Sequence, residues 1–157
     1  MRAITHIKAS TAAAVIAGAV SGTPAAAGIF LFGGFLDVDH VTHFISSGLP
    51  SSPGTLFKSI FMNEMQLEKT YSISRGVPSS WTFPVFHCIE FVSLLEVSGF
   101  LLESSFLMAA GIGVLLHLLM DIRSYPCGIS FFSIIWRCTK KQKLMTEWQT
   151  HRSTVMC

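Results

Sequence analysis

The sequence predicts an all-α integral membrane bundle of about four helices, at roughly 5–20, 25–38, 84–102 and 104–121. Three observations predict it. Half of the 157 residues are hydrophobic and only 13% are charged, whereas a soluble domain carries roughly 25% charged residues. Mean hydropathy is correspondingly high, at +0.55. Once four helices are drawn, every Lys and Arg falls on one side of the bundle. The chain is long enough for one domain of ordinary size. Residues 1–136 form that domain, with a polar loop (38–83) inserted between the second and third helices. Residues 137–157 form a basic, flexible tail.

The first helix follows Arg2, His6 and Lys8 and is Ala-rich from Ala9 to Val20. Ser21-Gly22-Thr23-Pro24 is a turn by composition. Pro24 fits the first turn of the second helix, where a missing N–H costs nothing. An alternative is a secretory signal, with Ala25-Ala26-Ala27 as the cleavage region. Against it, the apolar character runs on to Leu36, and cleavage would discard His6.

The loop contains Ser46 to Gly54, a turn-rich stretch, then a short amphipathic helix from Leu56 to Lys69. Trp81, Phe83 and Phe86 suggest an aromatic belt where the chain re-enters the membrane. The third helix is apolar but carries His87, Glu90 and Glu96. The fourth has Gly111 and Gly113, which permit close helix contact, and ends in His117-Leu118-Leu119-Met120-Asp121. Phe131 to Trp136 is a short apolar segment lying at the interface. Each of the four helices is near or below the roughly 20 residues that span a bilayer comfortably.

Up-and-down topology gathers the polar residues. His6, Asp37, Asp39, His40, His43, His87, Glu90, His117 and Asp121 all fall at one end. The same end holds all the Lys and Arg, so by the positive-inside rule it is cytoplasmic. The predicted location is the inner (plasma) membrane, multi-pass, with both termini in the cytoplasm.

Asp and His at the ends of apolar helices need their charge compensated, and a divalent metal does this. Carboxylate and neutral imidazole together suit zinc, and also manganese or iron. Asp37, Asp39 and His40 stand at the end of the second helix; the alternative is a polar boundary with Asp39 capping a following turn. His117 and Asp121, four apart, share a helix face. They are either two ligands or a ligand with its orienting partner. His87 and Glu90, three apart, also share a face, in the manner of carboxylate-bridged sites in bundles. His43 can face the loop as easily as the site, and His151 belongs to the solvated tail. Glu96 lies two turns deeper than Glu90, and Arg123 either binds an anionic headgroup or sets topology.

Other chemistries are weakly supported. A net charge of +2 without a basic stripe excludes a nucleic-acid partner. No G-x-S-x-G, H-E-x-x-H or P-loop occurs. Cys88, Cys127, Cys138 and Cys157 form no C-x-x-C pair, so they read as free thiols in a reducing compartment.

Thr5-His6, Gly34-Phe35-Leu36-Asp37-Val38-Asp39-His40, Phe86-His87 and His117-Leu118-Leu119-Met120-Asp121 occur in that order. The set resembles the YdjM-like family of bacterial membrane-bound, metal-dependent hydrolases, over most of residues 1–122. Leu36 stands where that family usually has Pro, and His87-Cys88-Ile89-Glu90 stands where it commonly has H-R-x-x-x-H-S. The resemblance strengthens the reading as a membrane-bound hydrolase whose metal, zinc foremost, is held by His6, Asp37, His40, His87, His117 and Asp121. Glu90 enters from helical geometry rather than from the family motif. Glu90 or Asp39 is the expected general base, and a phosphorylated or acylated amphiphile the expected substrate, since the site lies at headgroup level beside the lipid bilayer. The alternatives are a non-catalytic membrane protein with a structural metal or partner-binding cluster, and an ion relay through Glu90 and Glu96.

Overall fold

The computed structural model describes residues 3–39, 52–62, 70–71, 85–122 and 128–140, and these are helical throughout their regular elements. The α-helices are α1 (Ala3–Ser21), α2 (Thr23–Gly34), α3 (Pro53–Phe61), α4 (Ile89–Leu101), α5 (Ser105–Asp121) and α6 (Ile134–Thr139). Two 3-10 turns, Leu36–Asp39 and Gly128–Phe132, precede the loop and α6. The expected amphipathic helix at 56–69 begins earlier, at Pro53, where the Ser52 hydroxyl accepts the Thr55 N–H at 3.3 Å. Residues 63–69 lie outside the described residues.

Two tight turns make antiparallel pairs. Between α1 and α2, Gly22 adopts φ +85°, a left-handed conformation open to glycine at little cost. Between α4 and α5, Glu103 takes the left-handed position at φ 50°. Its N–H donates to Phe100 O at 3.3 Å, and the Ser104 N–H to Gly99 O at 2.8 Å. That bond pair is a Schellman closure, here built without glycine. The Ser104 side chain then starts α5 by accepting the Leu107 N–H at 3.4 Å.

Packing runs in the order α1, α2, α5, α4, with α2 pressed most extensively on α5 and α1. The α2–α5 contact is backbone on backbone. A Cβ on Gly28 would collide with the Phe106 carbonyl, and one on Gly113 would sit 3.0 Å from Gly33 N and from Ile29 Cα. Small residues give membrane helices this kind of approach. Leu36, Val92, Leu95, Ala110, Val114, Leu118, Phe131 and Phe132 form the larger core cluster. Ala14, Ala25, Ile29 and Ala109 form the smaller one.

Three expectations change. The second helix stops at Gly34, and Asp37 and Asp39 follow in a 3-10 turn. The third begins at Ile89, not 84, because Cys88 caps it; the Phe91 N–H donates to Cys88 Sγ at 3.3 Å. The 131–136 segment packs onto the bundle, with Phe131 and Phe132 buried, and Arg137, the first residue of the expected flexible tail, is buried in α6. Its guanidinium lies 5.4 Å from the Phe131 ring centroid, a cation–π distance. Among the described residues, one helix, Ile4–Ser21, is long and apolar enough to cross a membrane; Thr23–Gly34 and Ser105–Asp121 are apolar but shorter. Cys88 and Cys138 are free thiols.

Candidate metal centre

Three chain segments deliver polar side chains to one end of the bundle. The 3-10 turn after α2 brings Asp37, the residue before the Cys88 cap of α4 brings His87, and the last two turns of α5 bring His117 and Asp121. One ligand atom from each lies within 4.8 Å of all the others, and all four residues are buried. His87 Nε2 is 3.1 Å from His117 Nε2. Asp37 Oδ1 is 3.7 Å from His87 Nε2 and 3.6 Å from His117 Nε2. Asp121 Oδ2 is 3.6 Å from His117 Nε2.

The hydrogen-bond inventory shows why this group suits a cation. His117 Nδ1 donates to the Gly33 carbonyl at 2.9 Å. In a neutral ring that leaves the lone pair on Nε2. The lone pair therefore looks toward another Nε2 and two carboxylates. A divalent ion satisfies all of them together, and the Gly33 contact is the kind of outer hydrogen bond that orients a ligand histidine. Tetrahedral ligands at 2.0–2.2 Å from zinc lie about 3.4 Å from one another; four of the six separations in the group are 3.1–3.7 Å, and all lie within 4.8 Å.

His6, on the first turns of α1, stacks on His117 with ring centroids 3.8 Å apart and planes 15° from parallel. Its Nε2 is 3.2 Å from Asp121 Oδ1, yet off the line needed for a hydrogen bond. His6 therefore touches the group from outside rather than adding a fifth atom to it. One turn later, the Ser10 hydroxyl is buried beside Gly33 and makes no hydrogen bond. Ser10 and the Gly33 carbonyl are the parts that sequence reasoning missed; only the i,i+4 spacing of His6 and Ser10 hinted at the first.

Glu90 is elsewhere. Ser133 Oγ donates to its Oε1 at 2.7 Å, Ile134 N–H to Oε2 at 3.1 Å, and Ile135 N–H to Oε1 at 3.3 Å. Both oxygens are thus engaged at the start of α6, where a carboxylate satisfies otherwise open backbone donors. Glu90, expected as a base of the site, is thus bonded at α6 and is not one of the four grouped residues. Glu96 packs over Gly111 on α5. The Asp39 backbone closes the 3-10 turn, while its side chain, and all of His40, His43, Arg123 and His151, lie outside the described residues. The chain's comparison with protein-family models, with curated proteins and with solved structures gives no match.

Proposed function

We propose that the chain is a multi-pass inner-membrane, metal-dependent hydrolase of the YdjM-like kind that its motifs resemble, with the site at the cytoplasmic face. The observation that carries the reading is the buried meeting of His87, His117, Asp37 and Asp121. These four would hold the ion, with His40 as a further candidate ligand. When bound, a divalent ion supplies Lewis acidity, acidifying water and polarising a phosphoryl or acyl oxygen. His6 stacks on the His117 ring and lies beside the Asp121 carboxylate, packing against the group from outside. Asp39 is the carboxylate assigned as proton acceptor, since Glu90 is occupied at α6. Zinc is the first candidate by donor set, ahead of manganese and iron.

Membrane embedding is supported by the outer faces. Val15, Ile16, Val20, Leu94, Val97 and Phe100 are all exposed, and helices apolar on every side belong in lipid or in a large core. The helices are short for a bilayer: α5, with 17 residues, measures about 26 Å, and α2 and α4, with 12 and 13 residues, about 18 and 20 Å, against a hydrocarbon thickness of about 30 Å. Local thinning or the flanking turns must supply the remainder.

A second reading, a structural metal in a non-catalytic membrane protein, is favoured by one observation: His87 and His117 are fully buried and Asp121 is 2% exposed. Closed four-ligand sites are structural, whereas catalytic sites keep a position open. Metal content of the purified, chelator-free protein tests the common part. Stoichiometric zinc, manganese or iron is expected in the wild type, with loss in His117→Ala and Asp37→Ala; no metal under replete conditions sinks both readings. Cobalt substitution separates them: an absorption band that shifts when inorganic phosphate is added marks an open position, and an inert band marks a structural site.

A further inference from the structure

Beside the metal centre lies an apolar groove of about 580 Å³, lined by Leu31, Phe35, Val38, Phe86 and Phe91 among others. Its size falls within the roughly 300–1,000 Å³ of small-molecule sites. Its construction is interleaved with that of the metal centre. Leu36 and Val38 line the groove while Asp37, between them, turns to the polar group; Phe86 lines it while His87, the next residue, does the same. Consecutive Cα atoms are 3.8 Å apart, so the two sites share a wall. Phe35, Val38 and Phe86 are 40%, 51% and 46% exposed, so the aromatic lining is open to a ligand.

We infer that this groove binds the hydrocarbon chain of a long-chain alkyl phosphate whose headgroup sits at the Asp37–His87–His117–Asp121 centre. The inference rests on the metal reading and adds the substrate class to it. The groove offers almost no polar partner, so its occupant is a chain and not a sugar or a base. The headgroup is assigned as phosphate because a phosphate monoester carries nearly two charges at neutral pH. A divalent cation therefore attracts it more strongly than a singly charged carboxylate.

The test replaces Phe35 with the photo-crosslinker p-benzoylphenylalanine, and in a parallel protein replaces Phe100. Phe100 is 75% exposed and about 16 Å further along α4 than Ile89. Zinc-loaded protein in dodecyl maltoside is irradiated with one equivalent of hexadecyl phosphate, and adducts are read by intact mass. The expected result is a hexadecyl phosphate adduct several-fold stronger at position 35 than at position 100, lost with EDTA and reduced in a Val38→Trp background. Equal labelling at both positions overturns the inference. So does labelling by palmitate equal to that by the phosphate. Linkage of position 35 to a second copy, or to another segment of the same chain, would give the groove a different occupant and overturns it too. Zinc is quantified in the same samples. Zinc present with no selective adduct removes only the lipid assignment, whereas zinc absent removes the metal reading and this inference with it.

Discussion

His117 Nδ1 donates to the Gly33 carbonyl at 2.9 Å, joining α5 to α2 across 84 positions of sequence. The bond exists because Gly33 and Gly113 let the two backbones touch, and it fixes which imidazole nitrogen faces the carboxylates. Gly33→Ala is therefore expected to damage the site without altering any side chain in it. Its Cβ would collide with Ser10 Oγ and approach Gly113 O at 3.1 Å. Loss of such an orienting contact costs about 10–100-fold in metal affinity. Gly34→Ala is the control, because its nearest neighbour would be at an ordinary 3.6 Å. Metal titration of both variants checks this, and equal affinities would falsify the link between helix approach and ligand orientation.

Replacing Glu90 should loosen the C-terminal segment and spare the metal. Glu90→Ala removes the acceptor for Ser133, Ile134 and Ile135. Cap losses of this kind cost about 1 kcal/mol. Thermal unfolding and proteolysis around α6 should report the loss, while metal content stays at the wild-type value. A fall in metal content instead would return Glu90 to the centre.

His6→Ala distinguishes a neighbour from a ligand. The ring stacks on His117 and contacts Asp121 but lies outside the four-atom group. Affinity should fall about 10–100-fold, as for an outer partner, with one equivalent of zinc still bound at saturation. Asp37→Ala, which removes one of the four, should lower the stoichiometry itself. Equal stoichiometric loss in both would make His6 a ligand.

Glu103→Gly should stabilise the bundle. The residue holds φ 50° at the end of α4 and is exposed. A left-handed non-glycine residue costs about 1–2 kcal/mol, offset in part by the greater freedom glycine has when unfolded. A net gain of about 0.5–1 kcal/mol is expected in the unfolding free energy, and a loss would mean that the Glu103 side chain contributes more than its backbone costs.

Much of this was legible in the sequence because the relevant signals are local. Apolar runs and turn residues located α1, α2, α4 and α5 to within a few positions. Alternating direction then implied that His6, Asp37, Asp39, His40, His43, His87, Glu90, His117 and Asp121 share one end; Asp37, His87, His117 and Asp121 are found grouped, with His6 against them. What stayed hidden depends on tertiary contact. The pairing of Glu90 with Ser133 spans 43 positions, and the i,i+3 spacing from His87 suggested a different use for it. The fold of 128–140 was masked by its composition: a short apolar run before basic residues looks like an interfacial segment, and nothing local announces that Arg137 will be covered. Cys88 as a helix cap was hidden because sulfur is an uncommon choice at that position.

The turn at Gly22 sets α1 against α2 as soon as both have been made, which places His6 beside an incomplete centre. Asp121 follows His6 by more than a hundred residues, on the order of ten seconds of translation. Until α5 arrives, neither His117 nor Asp121 is present, and a partly synthesised chain cannot assemble the four-residue group. Metal capture by the four-residue group would thus be confined to chains elongated past Asp121, and an ion bound from then on would clasp the turn after α2 to the start of α4 and the end of α5, stabilising the bundle only once these helices have been synthesised.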